Sequence, residues 1–127
     1  MPDAIGQIDE IQTSMLRALA SPHRLRLLHL LGGGPCEVNE LVRVTGIPQA
    51  AVSQHLAALR GVGLVEATRD GRFVRYRLAD ADILAACDVM RGVIVRRLSA
   101  LGSLAAAARS SEPPIAVLTA NGSDASR

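Results

Sequence analysis

Apolar residues recur along the chain with two periods, and the switches between them set the order of elements. In the first segment Ile8, Ile11, Met15, Leu16 and Leu19 fall at helical spacing, with Asp9 and Glu10 near the start, where acids suit the helix dipole. Ser21 is placed to cap a second helix and Pro22 to open its first turn; Leu25, Leu28, His29 and Leu31 follow before Gly32-Gly33-Gly34-Pro35 ends it. Val38, Leu41, Val42 and Val44 mark a third helix that Gly46 stops, and Pro48 opens a fourth running to Arg60.

Gly61 and Gly63 break that fourth helix, and the period becomes two. Residues 64–69 and 72–78 alternate around Asp70-Gly71, a strong hairpin signal. Val74, Tyr76 and Leu78 are expected to face inward, with Arg75 and Arg77 outward. From Asp80, a capping acid, the helical period returns in Ile83, Cys87, Met90, Ile94, Leu98 and Leu101, a stripe that suits a helix-helix seam better than a wet surface. Beyond Arg109 the pattern dissolves among Ser, Pro, Ala, Gly and Asn, so residues 109–127 are expected to be a disordered tail. The predicted fold is mainly α with a small β-hairpin, in the order of four helices, two strands and one long helix, all within residues 1–108.

Composition narrows this picture. With 127 residues, 49% of them hydrophobic, the chain suffices for one packed core, and with 2% aromatics that core must be built of Leu, Val, Ile and Ala. The formal net charge is only +2, but all fourteen basic residues are Arg and they are unevenly spread. From Arg43 to Arg77 six Arg face only Glu66 and Asp70, whereas the remainder carries eight Arg against ten acids. The middle of the chain is therefore the basic part, as an anion-binding surface requires. Cys36 and Cys87 are too few for a disulfide framework, no apolar run is long enough to span a bilayer, and the N-terminus lacks a signal-peptide layout. A cytoplasmic protein with reduced thiols is expected.

Helix three, the Thr45-Gly46-Ile47 turn and helix four form a helix-turn-helix layout. With Val52, Leu56 and Leu59 buried, the opposite side of helix four presents Gln49, Ala50, Ser53, Gln54 and Ala57. Small residues let a helix approach base edges, and Ser and Gln hydrogen-bond them. His55 lies at the border of the two faces, suited to packing against helix three or to meeting a phosphate. Arg69 and Arg72 flank the hairpin turn, where guanidinium groups would reach phosphates or a minor groove.

The segment from Ala18 to Leu78 resembles the ArsR/SmtB family of bacterial winged-helix repressors. Three stretches carry the likeness: residues 18–28 (ALASPHRLRLL), residues 52–60 (VSQHLAALR), and Gly63-Leu64-Val65 with Asp70-Gly71-Arg72 and Tyr76-Arg77-Leu78. The resemblance implies a homodimer joined through its first and last helices. It also implies repression at an inverted-repeat operator in double-stranded DNA, with release by an inducer.

The inducer is left open between a thiol-reactive species, a metal at a non-standard site and an unknown ligand. Many relatives hold metal with Cys-x-Cys on helix three, but here Cys36-Glu37-Val38 has one thiol. Others use Asp-x-His and His-x-x-Glu or His-x-x-His on the last helix, where this chain has Asp80-Ala81-Asp82 and Val93-Ile94-Val95-Arg96, and an Arg repels a cation. No residue is therefore assigned to a metal, no cofactor is assigned, and His23 and His29 are taken as structural. Cys36, expected at the start of helix three where the dipole lowers a thiol pKa, and Cys87, in the apolar stripe, are the candidate sensor thiols. If the last helix packs near the start of helix three, the two could link. There is no glycine-rich phosphate loop, HExxH or nucleophile elbow, so catalysis is not expected. The rival to a DNA-binding regulator is a winged helix that binds only protein.

Overall fold

The computed structural model describes residues 3–109. Helix α1 (Ala4–Leu19) is capped by Asp3, whose carboxylate accepts from the N–H groups of Ile5 and Gly6 at 3.2 and 3.1 Å. Helix α2 (Pro22–Leu31) follows after one residue pair, with the Ser21 hydroxyl accepting from the Arg24 N–H and Pro22 in the first turn.

Helix α3 (Val38–Thr45) starts where Glu40 reaches back to accept from the Glu37 N–H at 3.0 Å, and it ends at Gly46 in the left-handed conformation, φ 74°. The Thr45 hydroxyl donates to the Leu41 carbonyl and accepts from the Ile47 N–H, pinning the turn into helix α4 (Gln49–Gly61). Gly61 remains helical, and the break expected there falls at Gly63, φ 80°. Glycine permits a turn without demanding one.

Strands β1 (Val65–Asp70) and β2 (Phe73–Leu78) pair antiparallel from Val65↔Leu78 to Asp70↔Phe73 around Gly71 and Arg72. Val74, Tyr76 and Leu78 alternate inward as their period predicts. Tyr76 has a neighbour on both sides: it lies opposite Ala67 in the register and, through N···O distances of 2.9 and 2.8 Å, its backbone N–H and carbonyl bond to Cys36, which thereby adds a one-residue third strand to the hairpin. Helix α5 (Ala81–Ala108) begins where the Asp80 carboxylate accepts from the Asp82 N–H.

The core joins the faces turned inward by α2, α3, α4 and β1: Leu27, Leu28, Leu41, Val52, Leu56, Leu59, Leu64 and Val65 are almost wholly enclosed. No polar or charged residue among those described is buried, so the centre is held by aliphatic burial, each such side chain contributing about 1.5–3 kcal/mol. Ile83 of α5 packs on the edge of this core. The fold divides into two compact units, one up to Ala86 and one from Cys87 onward. The expected tail lies outside the described residues except for Arg109.

Candidate nucleic-acid interface

Helix α4 shows how the hydrophobic period exposes chemistry. Val52, Leu56 and Leu59 are fully enclosed, and the opposite side leaves Gln49, Ala50, Ser53, Gln54 and Ala57 exposed. Near the start of that helix a crevice of about 200 Å³ is lined by Gln49, by Glu37 ahead of α3 and Val38 and Asn39 within it, and by Arg72, Phe73 and Val74 of the hairpin. The helix that would read bases and the tip of the hairpin therefore border one concavity.

The turn falls at Gly71-Arg72, one residue later than the expected Asp70-Gly71, so Arg72 lies in it while Arg69 pairs with Val74 within the hairpin, and the two arginines do different things. Arg72 lines the α4 crevice, with its guanidinium carbon 5.9 Å from the centre of the Phe73 ring. Arg69 lines a second crevice, about 330 Å³, together with Pro35, Thr68, Asp70, Arg75 and Arg77. Arg75 is held 4.0 Å from Glu37 and Arg77 3.3 Å from Glu66, so both outward arginines already have a carboxylate beside them. Phe73, half-exposed beside Gln49's crevice, and Asn39 belong to this surface and were missed by periodicity. The signal for Phe73 was a large apolar residue at an outward strand position.

His55 is half-buried, and the groups that bond to it and lie against its ring come from α2. Arg24 Nε donates to His55 Nδ1 at 3.1 Å, Arg24 Nη1 donates to the Ala18 carbonyl at 3.2 Å, and the His23 and His55 rings lie 5.8 Å apart. Burial first, then the charges of Arg24 and His23, push the His55 imidazole below its ordinary pKa. His29 Nδ1 lies 2.8 Å from the Leu25 carbonyl, within its own helix.

Cys36 corrects a further expectation. It lies ahead of α3, not in its first turn, with its backbone engaged by Tyr76 and its thiol 3.5 Å from the Gly34 carbonyl. Burial, reinforced by the Glu40 carboxylate, pushes the thiol pKa up instead of down. Cys87 is a free, half-buried thiol on α5. Among the described residues no three His, Cys, Asp or Glu come together as a metal set, and no helix is long and apolar enough to cross a membrane.

A helix-turn-helix followed by an arginine-bearing hairpin defines a winged helix-turn-helix DNA-binding protein. The chain belongs to the ArsR family of transcriptional regulators: residues 21–67 match the family described as "Bacterial regulatory protein, arsR family". It is 44% identical over 79 residues to the regulator CmtR of Mycobacterium tuberculosis, covering 62% of this chain and 67% of that one. It is 34% identical over 85 residues to the regulator YgaV of Escherichia coli, covering 66% and 86%. The solution structure of the homodimeric winged helix-turn-helix domain of Mb0332 from Mycobacterium bovis superposes with a TM-score of 0.70 at 31% identity, over 77% of this chain and 91% of that one.

Proposed function

We propose that the protein is a homodimeric, cytoplasmic repressor that grips an inverted-repeat operator. Gln49, Ala50, Ser53 and Gln54 face the major-groove base edges, Arg72 and Arg69 meet the backbone or minor groove, and His55 acts by packing. The observation that carries this is the shared crevice, which sets the exposed start of α4 beside the arginine of the wing tip. A helix whose outward side is small and amide-bearing has the size and donors for base readout, and a guanidinium beside it suits phosphate.

A homodimer is supported by aliphatic side chains left in the open. Ile5, Ile8 and Ile11 on α1 and Met90, Ile94, Leu98 and Leu101 on α5 are each about half exposed or more, an arrangement that a second copy would cover. The relative Mb0332 is described as homodimeric, which agrees.

Cys36 is the thiol through which an inducer would reach the wing, because its backbone is paired with Tyr76 on β2. A Cys36→Ser protein should no longer be inducible in a reporter strain; one that still responds places the inducer elsewhere.

Fluorescence anisotropy with the DNA upstream of the protein's own coding sequence tests the whole scheme. Affinity should fall steeply with salt. Arg72→Ala should lower the slope of log affinity against log salt by about one for every sequence, and Gln54→Ala should cost about 1–3 kcal/mol of preference for the operator. Affinity indifferent to salt and to both changes would favour a protein-binding module.

A further inference from the structure

Arg24 touches three helices with one side chain. It grows from α2, its Nη1 donates to the Ala18 carbonyl in the last turn of α1, and its Nε donates to His55 Nδ1 on α4. The Ala18 carbonyl is one of the terminal carbonyls for which a helix has no internal partner, so the guanidinium supplies a bond that α1 otherwise lacks. A guanidinium donates and never accepts. The bond to His55 therefore requires a lone pair on Nδ1, which the neutral ring has and the imidazolium lacks.

We propose that Arg24 and His55 are positioning residues for DNA binding, a strut that holds α4 against α1 and α2 only while the His55 ring is neutral. This rests on α4 being the DNA-facing helix. The charged and titratable groups acting on the ring are Arg24 and His23, both from α2, and α1 faces the cluster with a backbone carbonyl. Protonation turns the acceptor into a cation facing the Arg24 guanidinium, and burial adds to its cost. The strut opens, and the exposed side of α4, whose Ser53, Gln54 and Ala57 lie within two residues of His55, loses its fixed placement.

A direct phosphate contact by His55 would have the opposite sign, since an imidazolium binds phosphate better than an imidazole. That contrast makes the proposal testable by anisotropy with the upstream duplex between about pH 8 and pH 5, the range in which histidine charges. Wild-type affinity is expected to fall on the order of tenfold as pH drops. His55→Asn, whose Oδ1 takes the place of Nδ1 and does not titrate, should bind like wild type at the upper end and show a flattened profile. Arg24→Lys keeps the charge but loses the fork, so it should bind more weakly at the upper end with an unchanged salt slope.

Wild-type binding that strengthens as pH falls, a profile identical in His55→Asn, or a smaller salt slope in Arg24→Lys overturns the strut. A wild type that binds no DNA at any pH refutes the DNA-facing assignment instead. The strut is then judged by Tm against pH: wild type should lose Tm relative to His55→Asn as pH falls, and parallel curves overturn it.

Discussion

Cys36 and Gly46 bracket α3, and each takes its character from lying just outside the helix. The Cys36 thiol is held above its ordinary pKa by burial and by Glu40. Its alkylation by iodoacetamide, followed by mass spectrometry in a Cys87→Ser background, should accelerate only at pH above that of a free thiol. Glu40→Gln keeps the oxygen that caps the Glu37 N–H but removes the charge, and should shift this rate profile toward lower pH. Gly46 has φ 74° and open space around the site of a side chain, so Gly46→Ala should destabilise through backbone strain alone, by about 1–2 kcal/mol in denaturant unfolding. The stop at Gly46 was legible because a glycine after an amphipathic run is a local signal. The surroundings of Cys36 and His55 were not, since the groups that set them come from elsewhere: Tyr76 from the wing and Arg24 from 31 residues upstream.

At the scale of the element, α4 separates stability from recognition by side. Leu56 is fully enclosed, and Leu56→Ala should cost about 2–5 kcal/mol by lost burial and the cavity left behind. Gln54 is exposed, so Gln54→Ala should leave unfolding within about 0.5 kcal/mol of wild type while operator preference declines. Thermal melts and competition anisotropy on the two proteins check this division. Period 3.6 made both sides of α4 readable from its apolar positions, and period two did the same for the inward side of β2. Periodicity left the crevice beyond reach, because the wing tip and the start of α4 meet only through tertiary packing. For the same reason Arg69 and Arg72, three residues apart in sequence, border different crevices.

For the whole molecule, the balance between enclosed and open aliphatic surface decides the state in solution. The exposed stripe of α5 is legible in the sequence as apolar residues at steps of three and four, while its partner is not, since periodicity marks a seam without naming the other half. Ile94→Glu places a charge in that stripe, and analytical ultracentrifugation should show a monomer that also binds the upstream DNA much more weakly. An Ile94→Glu protein that remains dimeric would remove α5 from the interface. The bridge between Tyr76 and Cys36 has one more use. The chain has a single tyrosine and no tryptophan, so its near-ultraviolet emission comes from one phenol ring, and that ring belongs to the residue joining the wing to the lead-in of α3. The unlabelled protein thus carries its own optical gauge of that joint, and titrating DNA or a thiol reagent against tyrosine emission would report whether the joint responds, with no dye attached.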